Sequence, residues 1–239
     1  MATSVLAGYS DIFAITDMPF LFDNFAHSDR FTKTEEFVEM NKTLENSGLY
    51  LWYWSILGYK QPNLVKSVIT NPQDCVGLKW RTMENPVQIG TVRALGAIPI
   101  TIAYSEVYNA LQMGVADAWM NDAIAFKNLS TYEVAPYSTE LPLFASCQTM
   151  IVSKRAFDAL LPENQAIVRR IIDQEMPGVI GAARKQNDIL VEELKTKFKG
   201  YYVVKDPAPY LKLVQSVYTD FLAKYPQCKK YIDAINRVR

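Results

Sequence analysis

Histidine is nearly absent from this chain: His27 is the only one in 239 residues. A single imidazole excludes any multi-histidine metal site, and His27 reads as an exposed or capping residue rather than a catalyst. Cysteine is also scarce. Cys75, Cys147 and Cys228 lack metal-ligand spacing, and an odd count leaves at least one unpaired. No sign of charge is in excess, with 25 basic and 25 acidic residues. No Lys/Arg block stands out, so the electrostatic footprint of a nucleic-acid partner is missing. No apolar run reaches the ~18 residues a membrane span needs. There is no glycine-rich phosphate loop, nucleophile elbow or Cys–His pairing. Glu84, Glu106 and Asp117 are acids that could move protons, yet each has a structural explanation. Glu106, for instance, falls in a first helical turn, where the dipole favours it. An enzyme is therefore poorly supported, and neither catalytic residues nor a cofactor is indicated.

What is present suits a globular fold: 49% hydrophobic and 21% charged residues, enough for one large or two small domains. The stretch from Asp74 to Asn121 is the most informative. Leu78 to Thr82 reads as a strand, with Lys79 and Arg81 on one face and Leu78 and Trp80 on the other. Asn85-Pro86 starts a helix that Gly96 ends. Ile98 to Ala103 is a second strand. Ser105 then caps a helix burying Val107, Tyr108, Leu111 and Met113, up to Gly114. Val115 to Met120 is a third strand. Strands alternating with helices predict parallel pairing in an α/β layer.

Arg81 and Asn121 end strands of that layer, where α/β sheets place ligands. Arginine offers a planar fork of donors matched to a carboxylate, and asparagine adds a donor and an acceptor. From spacing alone an alternative stands beside this: Arg81 paired with an acid of its own chain, and Asn121 in a turn.

The pattern Asp-x-x-Gly-Leu-Lys-x-Arg (Asp74 to Arg81), Ala-Leu-Gly-Ala-x-Pro (Ala94 to Pro99), Glu-Val-Tyr-x-Ala-Leu-Gln-x-Gly-Val-x-Asp (Glu106 to Asp117) and Asn121 resembles the substrate-binding proteins of tripartite ATP-independent periplasmic (TRAP) transporters, the dicarboxylate-binding-protein family. The resemblance runs from Leu6 to about Val204. It implies a two-domain, periplasmic-binding-protein-like fold with a ligand cleft between the domains and a long shared helix. It implies a periplasmic receptor that captures a small organic carboxylate and presents it to membrane subunits. By the same resemblance Arg81 ion-pairs with the carboxylate, Asn121 binds the same group, and Tyr104 lines the pocket. Lys60 and Gln61 stand near a second basic contact of the family, although lysine is a point charge rather than a fork. Met120 occupies the place where some relatives carry an acid for a divalent cation, so no metal is implied.

In the remaining chain, His27 to Asn46 reads as a helix and Leu49 to Ser55 as an aromatic-rich strand. Trp54 there is either core or a stacking surface for a ligand. Trp119, Tyr104 and Glu84 complete the candidate cleft, and the two aromatics favour an apolar or aromatic acid over a dicarboxylate. Tyr132 to Tyr137 reads as a loop and Thr149 to Ser153 as a strand. A helical region follows from Pro162 to about Phe198, where Pro177-Gly178 should kink or split it. Tyr201 to Val204 is a strand, and two further helices end the chain.

The expected first domain combines residues 1–57, 147–186 and 215–239. The second combines 58–146 and 187–214. Leu6-Ala7-Gly8 and Asp17-Met18-Pro19-Phe20-Leu21-Phe22 resemble a segment well inside the family's first domain. Relatives carry a signal peptide and a β-α-β-α-β stretch before it. Neither is seen here, which implies an incomplete first domain, apolar surface exposed around Asp11 to Ile15, and self-association through an open sheet edge.

Overall fold

A computed structural model describes the whole chain, residues 1–239. Two 3-10 segments, Thr3–Gly8 and Asp11–Asp17, open the fold. Leu6, Phe13 and Ile15 are fully buried in them. The exposure expected at Asp11 to Ile15 is thus not observed, because the turn Pro226–Cys228, the strand Phe144–Ser153 and the helix Pro86–Ala94 pack over this segment.

The single helix expected over His27 to Asn46 is two, α1 (Phe25–Phe31) and α2 (Glu35–Glu45). Asn24 caps the first by accepting from His27 N–H, and Thr34 caps the second by accepting from Phe37 N–H. Each cap satisfies a donor that a continuous helix would have used, so the chain restarts at Thr34. His27 is buried, not exposed.

β1 (Leu49–Leu64) runs well past the strand expected to stop at Ser55. After it come β2 (Lys79–Thr82), α3 (Pro86–Ala94), β3 (Ile98–Thr101), α4 (Val107–Gln112), β4 (Ala118–Asn121) and α5 (Ala123–Asn128). Next are β5 (Tyr137–Glu140), β6 (Phe144–Ser153), α6 (Lys154–Asp158), α7 (Pro162–Lys195), β7 (Gly200–Val203), α8 (Ala208–Lys224) and α9 (Lys229–Arg237). Asn85 caps α3 through Val87 and Gln88 N–H, and Gly96, at φ +80°, turns the chain out of it. Ser105 is not a cap. It lies inside a 3-10 turn, Tyr104–Glu106, that leads into α4, and Met113 is exposed rather than buried.

The strand order is β3-β2-β4-β1-β5-β7, with β6 on β1 outside that path. β2 is parallel to β3 and β4, as strand–helix alternation predicts. β1 is antiparallel to all three of its partners: Leu49 to Lys60 run along β6, and its last residues pair with β4 and β5. One strand therefore belongs to both sheet regions, which makes this a mixed α/β fold.

α7 is one unbroken helix of 34 residues despite Pro177. The proline frees the Asp173 carbonyl, and both residues are exposed, so water can satisfy what the ring removes. Of its apolar positions only Leu190 and Leu194 are buried. Ile167, Ile171, Val179 and Ile189 face solvent.

Buried apolar side chains form a large cluster across both sheet regions. A smaller one, around Val107, Trp119, Phe126 and Leu194, lies under the C-terminal part of α7. No helix is long and apolar enough to cross a membrane.

Candidate carboxylate-binding site

Two cavities flank the middle of β1. One, of about 610 Å³, is lined by Leu57 and Lys60; the other, of about 660 Å³, by Gly58, Tyr59 and Gln61. Simple alternation would put Leu57 and Lys60 on opposite faces. The pairing with β6 shows why they share one. Ile56 faces Cys147 and Tyr59 faces Ala145, so two residues of β1 stand against Ser146 alone. This bulge shifts the face parity and turns Lys60 toward the smaller cavity. It also sends Gln61 to the opposite side, away from the place expected for it.

The smaller cavity lies at the C-terminal ends of β2 and β4, where Arg81 and Asn121 sit. Arg81 is 5% exposed. Its Nε donates to the Ile102 carbonyl at 2.9 Å, while Nη1 and Nη2 have no partner in the chain. No acid pairs with it, so burial lowers the guanidinium to about 10, with Tyr104 opposing the effect. Arg81 thus remains charged near neutrality. The alternative of an arginine neutralised by its own chain is not what the fold builds. Asn121 Oδ1 accepts the Asp122 N–H at 3.0 Å, leaving its amide nitrogen free for a ligand. Tyr104 is half exposed at the rim, and burial and the Asp122 charge raise its phenol above the usual range.

Lys60 lines the same cavity, but it is not free. Its Nζ donates to Asp17 Oδ1 at 3.2 Å, with both side chains buried. Asp17 Oδ2 accepts from Asn85 Nδ2 at 2.7 Å and from Gln88 Nε2 at 3.2 Å. Asp122 also lines the cavity. It caps α5 through Ala125 N–H and accepts a hydrogen bond from the Ser146 hydroxyl.

Three more expected cleft residues lie elsewhere. Trp54 packs on Phe22, Phe31 and Phe37 in the large core, because inward positions of β1 there meet α1 and α2. Trp119 is fully buried in the small cluster, and its indole N–H donates to Asn63 Oδ1 at 2.9 Å. It reaches the site only as backing for Tyr104, whose ring lies 6.4 Å away. Glu84 is exposed and lines neither cavity. Asp17, Gln88, Asp122 and Ser146 were not expected. Asp17 carried the clearest signal, since a lone acid inside an apolar run needs a buried partner.

The larger cavity offers no free cation. Lys195 lies 2.7 Å from Glu192 and 3.7 Å from Glu140, and Arg239 lies 3.3 Å from Asp23. An unpaired, buried guanidinium singles out the smaller cavity as the place for an anion.

The model of the bacterial extracellular solute-binding protein family 7 (DctP) matches residues 1–225. The chain belongs to this family. A relative, a solute-binding protein of Sulfitobacter sp. (strain NAS-14.1), is 32% identical over 70% of this chain and 51% of its own length. The 2,3-diketo-L-gulonate-binding periplasmic protein of Escherichia coli is 26% identical over 80% of this chain and 62% of its own. The chain thus spans about half to three fifths of these relatives. A crystal structure of a TRAP periplasmic solute binding protein from Roseobacter denitrificans, with bound β-D-glucuronate, superposes with a TM-score of 0.93 at 20% identity. It matches 98% of this chain and 78% of that one, which establishes the two-domain fold. Family 7 is a solute-binding family, not an enzyme family.

Proposed function

We propose that the protein is a periplasmic solute receptor that holds a small organic carboxylate on Arg81 and delivers it to the membrane subunits of a TRAP transporter. The observation that carries this reading is the buried guanidinium with two unpartnered nitrogens, facing a cavity of about 610 Å³. A carboxylate supplies what that group lacks: a counter-charge and two acceptors in fork geometry. Asn121 supplies a further donor from the next strand of the sheet, and Tyr104 closes the rim. Binding rather than chemistry is the role, and no metal or cofactor takes part. Residues 1–57, 147–186 and 215–239 form one wall of the cleft in this reading, and 58–146 with 187–214 the other. The Escherichia coli and Roseobacter relatives take sugar acids, which supports an acid of that size.

A thermal-shift screen of organic acids on the chain tests the reading. A ligand at 100 times its Kd adds about 2.7 kcal/mol of stability. A clear rise with one class of acid, absent in Arg81→Gln, is the expected result. No rise with any acid, or an equal rise in the variant, contradicts it. Sedimentation of the same samples shows whether the chain also pairs with itself through a sheet edge.

A further inference from the structure

We propose that the larger cavity, on the face of β1 turned away from Arg81, is a second ligand site that takes an organic ammonium ion bearing a hydroxyl. The inference stands on its own residues and does not need the smaller cavity to hold a carboxylate.

Charge points to a cation. The acids lining this cavity are Asp23, Glu140, Asp188 and Glu192, against the cations Lys195 and Arg239. Arg239 is matched by Asp23 at 3.3 Å, and Lys195 by Glu192 at 2.7 Å with Glu140 at 3.7 Å. Asp188 has no ion-pair partner and is exposed at the rim. The lining therefore carries two more acids than cations. Arg184, whose guanidinium lies 4.4 Å over the Phe25 ring, forms a bidentate pair with Asp29 and leaves that count unchanged. Phe20, Phe22, Phe25 and Tyr59 line the same space, and aromatic rings attract ammonium ions most where water is excluded. Burial and the Asp23 charge push the Tyr59 phenol up to about 12, so it stays neutral and Asp23 acts on the interior.

Unmet hydrogen bonds in the wall call for a polar substituent. Gln61 is 7% exposed; its Oε1 accepts from the Tyr201 hydroxyl at 3.4 Å, and its Nε2 has no partner. Asn187, 6% exposed, has no donor for its Oδ1. Buried amides are rarely left this way unless a ligand or water completes them. A hydroxyl can accept from Gln61 Nε2 without adding charge, whereas a carboxylate there would enter among four acids. The cavity, of about 660 Å³, has the size of a small-molecule site.

Calorimetry with three probes tests this: choline, its uncharged isostere with carbon in place of nitrogen, and tetramethylammonium, which lacks the hydroxyl. Choline should bind the unmodified chain saturably, one per chain, and about tenfold more tightly than the isostere. It should also bind more tightly than tetramethylammonium. Asp188→Lys removes the unpaired acid and sets a cation beside Glu192, and should weaken choline by about threefold or more. That position is an exposed one on α7, so the variant keeps the fold. Gln61→Leu should remove the preference for choline over tetramethylammonium. Should Gln61→Leu fail to fold, the three probes on the unmodified chain and Asp188→Lys decide the question.

No saturable binding of choline overturns the inference, and so does an isostere that binds as well. Choline no tighter than tetramethylammonium on the unmodified chain, or an affinity unmoved by Asp188→Lys, overturns it too. Choline binding that strengthens in Arg81→Gln would put the ion in the smaller cavity and also overturn it. None of these results bears on whether Arg81 holds a carboxylate.

Discussion

The side chain of Asn187 lies directly against the backbone of Gly58, so close that a Cβ at position 58 would sit 2.7 Å from Nδ2 and 2.9 Å from Cγ and Oδ1. α7 thus touches β1 at the bulge that aims Leu57 and Lys60 into the cleft. Gly58→Ala should cost about 1–3 kcal/mol, because a buried amide must move out of a filled space. Asn187→Ala in the same chain should recover part of that loss. Urea unfolding of the four proteins of the cycle measures the coupling, and simple additivity would show that the two residues do not press on each other.

Arg81 should lower the stability of the unliganded protein. Burial lowers its guanidinium to about 10, equivalent to ~3 kcal/mol of lost solvation. The folded value lies below the unfolded one, so the penalty is complete below about pH 10 and fades only above it. Arg81→Gln should therefore raise the stability of the ligand-free chain at neutral pH by about 1–3 kcal/mol. A drop in the urea midpoint would show that the arginine is structurally compensated.

Much of this was legible in the sequence, and the reasons differ by element. The β2–α3–β3 passage carries its own punctuation in Asn85, Pro86 and Gly96, and the structure follows it. The approach of Arg81, Asn121, Tyr104 and Lys60 to one cavity followed from strand ends and family motifs. The bulge at Leu57 and Gly58 was not legible, since it depends on β6 and α7, both distant in sequence. Gln61 was misplaced for that reason. Trp54 and Trp119 were misplaced because an aromatic in a strand has the same pattern whether it meets a ligand or a helix. The Asp17–Lys60 pair joins positions 43 residues apart, and no local periodicity reports it.

His27 ties the start of α1 to the C-terminal helix. The Asp23 N–H donates to Nδ1 at 3.2 Å, so Nε2 carries the proton and donates to the Ile235 carbonyl at 2.8 Å. His27→Ala leaves both groups without that partner and should cost about 2–4 kcal/mol. Hydrogen exchange should rise first in α9. Uniform acceleration across the chain would argue against a local tie.

Glu193 should contribute to the acid limb of stability. Lys127 at 2.6 Å and Lys197 at 2.8 Å hold its carboxylate down at about 2. A lowered folded value gives stability that is present above about pH 4.5 and is lost as the pH falls toward 2. Glu193→Gln should flatten the stability profile over that window and leave its shape above pH 5 unchanged. An identical acid slope in the variant would remove Glu193 from the account.

The central claim is that Arg81 anchors a carboxylate, and calorimetry of the tightest acid from the screen tests it most directly. The acid is titrated into the unmodified chain, Arg81→Gln and Arg81→Lys. Arg81→Gln should lose about 2–5 kcal/mol of binding free energy, as when one partner of a buried charge pair is removed. Arg81→Lys should regain little of it, because a point charge cannot replace two parallel donors. Equal affinity in all three proteins would contradict the claim.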